Sequence, residues 1–156
     1  MERQWQIEKI LWSIALPGFG QILNKKYVKG LLFIGLEFVV NMNAHLNDLI
    51  IFSFQGDTRQ AIQATNYQWL MFYPCLYMFA IYDAYRDAAA VNKPYVYLPY
   101  IAAAYFATLG VVYSAKWKLF GVTLGPVWLP IGFCLVGIGI GHLLRMIILH
   151  MGRAAK

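Results

Sequence analysis

The sequence is poor in charge and poorest in acid. Of its 156 residues 13% are charged, with 7 Asp and Glu against 13 Lys and Arg. Soluble domains carry about 25% charged residues, so an ordinary solvated surface is excluded. Cysteine is limited to Cys75 and Cys134, both inside apolar runs. Such a pair excludes a disulfide framework and lacks the spacing of a metal site, which leaves two small packed side chains. The chain also has no His-Glu-x-x-His helix, no Gly-x-Ser-x-Gly elbow and no phosphate loop. Ser13 and Ser114 have no His and acid at a readable spacing. No catalytic residue, cofactor or metal is therefore expected, and an intramembrane lipid-modifying enzyme with dispersed polar residues stands as an alternative.

What is present is apolar and aromatic. Hydrophobic residues make up 60% and aromatics 17%, including 11 Tyr and 5 Trp, against about 45 to 50% apolar in soluble chains. This composition predicts an all-α integral membrane fold, with residues 1–156 as a single polytopic domain. The net charge of +6 comes from short clusters between apolar runs and forms no stripe, so nucleic acid is not an expected partner. The expected partners are the lipid bilayer and another membrane protein or a second copy of the chain. The stretch from Ile10 to Leu16 is short and runs into Pro-Gly-Phe-Gly, so no cleavable signal peptide is expected and the first methionine is expected to stay.

A spanning helix needs about 20 mostly apolar residues. Four stretches approach that length, at about 30–54, 67–85, 95–114 and 127–149, the first interrupted by "NMNAHLND". Residues 7–22 are too short and contain Pro17, Gly18 and Gly20. Cytoplasmic loops hold the excess of Lys and Arg. If residues 1–24 form a re-entrant or interfacial helical segment, the inner side holds Arg3, Lys9, Lys25, Lys26, Lys29, Arg86, Lys93, Arg145, Arg153 and Lys156. Only Arg59, Lys116 and Lys118 then lie outside, ten against three. If residues 7–22 cross instead, the better orientation gives eight against five. The expected layout is thus four spans after a re-entrant segment in a bacterial cytoplasmic membrane, with both termini cytoplasmic. Trp5 and Trp12 are expected at the interface, Tyr95, Tyr97, Tyr100 and Trp128 as boundary anchors, and Gln21 and Asn24 as partners for backbone groups freed at the break.

Ionisable residues inside spans are costly and are functional candidates. Glu37 lies eight residues beyond Lys29, about 12 Å along a helix, and His142 about 10 Å from the same side. Their matching depths predict a Glu37–His142 pair, and the same reasoning predicts an Asp83–Arg145 pair nearer the boundary. Glu37, Asn41, His45 and Asp48 fall within an arc of about 80° at 100° per residue. That stripe suits a proton or cation path. Asn43 and Asn47 on the opposite side suit instead a helix end emerging into water, capped by Asp48 or Asn47. Gly137 and Gly141, four apart, allow close helix approach, either across a homodimer or, as favoured here, against a helix of the same chain.

"LPGFGQILNKKYVKGLLFIG" and "YMFAIYDAYRDAA" together resemble a pattern of small bacterial multi-pass membrane proteins. These have Pro-Gly-x-Gly-Gln-x-x-Asn and Lys-Gly opening the next helix, then an Ile-x-Asp and a basic residue closing a later one. A similar module opens some bacterial sugar permease subunits. The pattern is distantly similar to the two-transmembrane-helix domain family, from which the chain differs by the insert 41–66 and the missing Asp-Arg-Phe motif. Pro17, Gly18, Gly20, Gln21, Asn24, Lys29, Gly30 and Asp83 carry the match, over about half the chain. The resemblance implies a multi-pass inner-membrane protein in which residues 17–30 form one structural unit. The expected function is that of an accessory, scaffold or regulatory subunit of a membrane complex. A small transporter or proton-conducting element using Glu37, His45, Asp83 and His142 is the first alternative.

Overall fold

The computed structural model describes residues 2–89 and 94–154, and the chain is mostly helical. Its helices are α1 (Glu2–Ala15), α2 (Phe19–Leu23), α3 (Tyr27–Ala44), α4 (Leu46–Phe54), α5 (Thr58–Ala64), α6 (Tyr67–Leu70), α7 (Tyr73–Ala89), α8 (Leu98–Tyr113) and α9 (Gly125–Ala154). Between α8 and α9 lies a small hairpin of β1 (Lys118–Leu119) and β2 (Val122–Thr123). It is antiparallel, with Lys118 opposite Thr123. Its tip residues Phe120 and Gly121 both have positive φ, as the tight turns that match strand twist require.

Side-chain pairs fix the order of the long helices. Lys29 meets Asp83 and Asp87, Phe33 meets Phe79, and Glu37 meets Tyr73, so α3 and α7 are antiparallel. Tyr82 and Tyr85 meet Tyr100, while Cys75 meets Thr108, which sets α8 antiparallel to α7. Gly110 faces Pro130 and Gly141 faces Pro99, so α9 returns along α8. At one end of the bundle Trp128 Nε1 donates to Ser53 O and Gly125 abuts Thr58, which seats α4 and α5 on the start of α9. The main cluster of buried apolar residues, around Leu49, Leu70 and Val111, lies near that end. The opposite end holds α1, α2 and the last turns of α7.

The all-α expectation is met, but the four-span layout needs correction. Among the described residues one helix, over Gly125–Gly152, is long and apolar enough by length and composition to cross a membrane, where four were expected. The stretch 30–54 is not one helix, because His45 adopts φ 57 and ends α3 before α4 begins. Left-handed backbone dihedrals interrupt the right-handed helix at that residue. The stretch 67–85 is divided at Met71 and Phe72, and its continuation past residue 85 gathers Arg86 and Asp87. The stretch 95–114 shortens to 16 helical residues, with Pro99 fixed in the first turn where its missing N–H costs nothing. Among the charges and anchors counted above, Lys93 and Lys156 and the side chains of Arg3, Trp5 and Arg153 lie outside the described residues.

Candidate functional site

The site is built on the break after α1. Proline has no N–H to donate and favours a helix end, and Gly18 supplies φ 107, which a β-carbon disfavours. The chain thereby reverses. Ile14 O accepts from Tyr77 OH, whereas Gly20, six residues later, packs against Ala84, nearly two turns further along α7. The return is tight on both flanks. A Cβ on Gly18 would lie 2.5 Å from Gly30 O, and a Cβ on Gly30 would lie 2.5 Å from Ile22 Cγ1. A Cβ on Gly20 would collide with Ser13 Oγ and sit 2.6 Å from Lys9 O. Pro17, Ser13 and Gln21 are fully buried.

From that scaffold α2 and α3 send three polar side chains onto α7. Gln21 Nε2 donates to Ala80 O at 2.8 Å and to Asp83 Oδ2 at 3.3 Å, and Asn24 Nδ2 donates to Ala84 O at 2.9 Å. Lys29 Nζ bridges Asp83 Oδ1 at 2.9 Å and Asp87 Oδ2 at 3.0 Å. Arg86, one turn along α7, also reaches Asp83 Oδ1 at 3.2 Å. Two cations face two carboxylates, so the cluster is neutral, and the Asp83 side chain is only 4% exposed. A carboxylate so deeply covered depends on these charge-assisted donors.

This cluster corrects two expectations. Gln21 and Asn24 do not serve the freed backbone at the break. That backbone closes on itself through Leu16 N to Trp12 O, Ile22 N to Gly18 O and Lys26 N to Gln21 O. Nor does Asp83 pair with Arg145. Its partners are Lys29 and Arg86, and Arg145 Nε instead donates to Pro94 O at 3.2 Å.

Glu37 is buried, at 6% exposure. Its Oε1 accepts from Tyr73 OH at 3.2 Å, and its Oε2 has no protein partner among the described residues. The predicted Glu37–His142 pair does not form, because Glu37 faces α7 while His142 lines a cleft with Arg145. Depth along a helix axis gave the level of each residue but not the direction it faces. The stripe of Glu37, Asn41, His45 and Asp48 is likewise interrupted by the left-handed turn at His45. Asn41 bonds weakly to Asn47 at 3.4 Å, while exposed His45 and Asp48 approach to 4.0 Å. Neither Asn47 nor Asp48 caps α4, which has no side-chain cap.

Gly137 and Gly141 both lie against α8. A Cβ on Gly137 would stand 2.6 Å from Ala102 O, and one on Gly141 would stand 2.5 Å from Pro99 Cα. Gly110 on α8 completes the contact, 2.6 Å from Pro130 Cα by the same construction. Cys75 and Cys134 are free thiols. Trp12 is half-exposed and its ring meets Phe19 at 6.1 Å. Among the described residues, no three His, Cys, Asp or Glu side chains gather as a metal cluster.

Sequence reasoning missed Tyr73, Asp87 and Gly110. Asp87 had a readable signal, since it stands four residues after Asp83 and so on the same helix face. Tyr73 had none, because one tyrosine among 11 does not announce which hydroxyl meets a carboxylate. Comparison with protein-family models, with curated proteins and with solved structures finds no match to this chain.

Proposed function

We propose that the chain is a small multi-pass membrane protein that acts by binding, as an accessory or scaffold subunit of a membrane complex. The membrane assignment draws support from α9. Only 11% of its most apolar window is buried, whereas a core helix of a soluble protein is mostly covered. A water-facing surface of that kind is a large exposed apolar patch, and lipid removes the penalty. On that reading the stretches 30–54, 67–85, 95–114 and 127–149 are taken as crossings of a bacterial cytoplasmic membrane, although α9 alone among the described helices has the length and hydropathy of a full span. The reversal at Pro17 and Gly18 keeps α1 and α2 on the inner side with Lys25, Lys26, Lys29 and Arg86. Both termini then share that side.

The binding role rests on one observation: the acidic pair Asp83 and Asp87 is matched within the chain. Lys29 and Arg86 neutralise Asp83 and Asp87, so this cluster locks helices together. A relay needs groups in reach of one another, and the left-handed turn at His45 divides the one stripe that had them. Extraction in a mild detergent is expected to co-purify one other membrane protein in fixed proportion, and loss of this chain is expected to destabilise that partner. A monodisperse particle without a partner overturns the reading.

Transport is the second reading, favoured by the unpartnered Oε2 of buried Glu37. Reconstituted vesicles separate the two. No pH-dependent flux is expected, and a flux abolished by Glu37→Gln replaces the accessory role with conduction.

A further inference from the structure

A cleft of about 510 Å³ opens between α1, α7, α8 and α9. That volume falls among those of small-molecule sites, about 300 to 1,000 Å³. Its walls are graded. Ile14, Tyr77 and Ile138 form one end, and Arg145 and His142 stand at the other with Tyr85 and Tyr100 beside them. The gradient follows the helix axes. His142 adjoins Gly141, which abuts Pro99 at the start of α8, and Arg145 is held at Pro94, so the cationic end lies beside the last turns of α7. Ile14 and Tyr77 meet about two turns deeper.

We propose that this cleft holds one anionic phospholipid, with its phosphate at Arg145 and His142 and an acyl chain along Ile14, Ile81 and Ile138. The proposal rests on the membrane reading above and deepens it. Three features select this occupant. First, the polar end of the cleft lies on the side assigned to the headgroups, so a lipid enters in its normal orientation. Second, the bond from Arg145 Nε to Pro94 O occupies Nε and leaves the two terminal amino groups without a hydrogen-bond partner among the described residues. A planar fork of that kind binds phosphate through two parallel bonds. Third, basic pockets between helices near the cytoplasmic boundary suit anionic headgroups, whereas a neutral lipid leaves the cation unmatched. The re-entrant α1 gains a purpose, because Ile10 and Ile14 complete the wall that keeps the acyl chain in place.

The test uses the full chain, delipidated in neutral detergent, with dioleoylphosphatidylglycerol and dioleoylphosphatidylcholine as probes. Native mass spectrometry is expected to find one retained phosphatidylglycerol, bound about tenfold more tightly than phosphatidylcholine, the order of one charge-assisted contact. Arg145→Gln is expected to remove the preference. Ile138→Trp, which fills the apolar end without touching the cation, is expected to lower retention of both lipids while the far-ultraviolet spectrum stays unchanged. Equal retention of the two lipids by the native chain overturns the proposal, as does a preference that survives Arg145→Gln. Oleate displacing phosphatidylglycerol one for one overturns the phospholipid assignment in favour of a free carboxylate. Alkaline carbonate separates the two levels. A chain it releases from membranes overturns the membrane reading, while a retained chain without lipid preference overturns the cleft alone.

Discussion

The contact of α8 with α9 and the contact of α2–α3 with α7 both bring backbones together through glycine, but only the second adds charge. Along α8 and α9, Gly110, Gly137 and Gly141 let carbonyls and α-carbons approach at three levels, and the joint is made by packing. At the other joint Gly18, Gly20 and Gly30 give the same close approach, and Gln21, Asn24 and Lys29 then bond to α7. In the proposed lipid setting, helices gain little from apolar burial and associate through close packing and hydrogen bonds. A 30-residue helix such as α9 supplies enough length for packing to hold it. The five residues of α2 do not, and a segment so short requires polar locks.

Glycine substitutions probe both joints and carry the largest expected effects. Gly20→Leu is expected to abolish a monodisperse folded particle in fluorescence-detected size exclusion. Its Cβ meets Ser13 Oγ, Lys9 O and Ala84 Cβ at once, two of them on elements that cannot turn aside. Overpacking of a filled site costs about 1 to 3 kcal/mol and occasionally more, and here the upper end applies. Gly141→Ala is expected to cost about 2 kcal/mol, within the same range, read as a lowered thermal midpoint. If Gly141→Ala is the more damaging of the two, the α1–α2 unit is an appendage and the comparison fails.

Asp83→Asn tests the polar lock by itself. It keeps the shape and the contact with Gln21 but removes the charge shared by Lys29 and Arg86. Both cations are more than 40% exposed at the side chain, so water takes over part of their solvation. The expected loss is about 1 to 2 kcal/mol, below the 3 to 5 kcal/mol of a fully buried pair. The thermal midpoint of the same variant in 1 M salt is expected to move less than that of the native chain.

The two joints also differed in how far the sequence disclosed them. The glycine face of α9 was readable, because a four-residue glycine spacing marks a side of close approach, although which helix meets it was not. The break at Pro17 and Gly18 was equally plain, as was the helical character of the whole chain. The partners of Asp83 and Glu37 were not. A rise per residue places a side chain along an axis, while the choice of Lys29 over Arg145, or of Tyr73 over His142, depends on rotation and on which helix is adjacent. The end of α3 at His45 was hidden for a related reason. Asn, Asp and His are all enriched among the non-glycine residues at positive φ, so nothing in "NMNAHLND" marks His45 over its neighbours as the residue that turns.

Glu37 offers a smaller test. Glu37→Gln is expected to leave stability within about 0.5 kcal/mol, because Tyr73 still finds an acceptor of the same shape. Tyr73→Phe is expected to cost about 1 kcal/mol, since it leaves both carboxyl oxygens without a partner in a buried site. The ratio of these effects in a thermal melt distinguishes a structural clasp from a carboxylate kept for its charge. A Glu37→Gln variant weaker than Tyr73→Phe points to charge.

The smallest expected effect is a flat line. Lys29, just outside the proposed span, is held above its ordinary 10.5 by its hydrogen bond to Asp83 and further by Asp87, against a burial that acts the other way. A folded-state value raised in this way contributes stability that is complete below the unfolded pKa and is lost only as pH rises through the folded one. The Lys29 lock therefore gives no slope between pH 7 and 9, and weakening sets in above about pH 10.5. Lys29→Met is expected to lower the thermal midpoint by the same amount at pH 7 and pH 9, since the native contribution does not change between them. A difference that shrinks across that interval means that Lys29 loses its proton early, and that Asp83 depends on Arg86 instead.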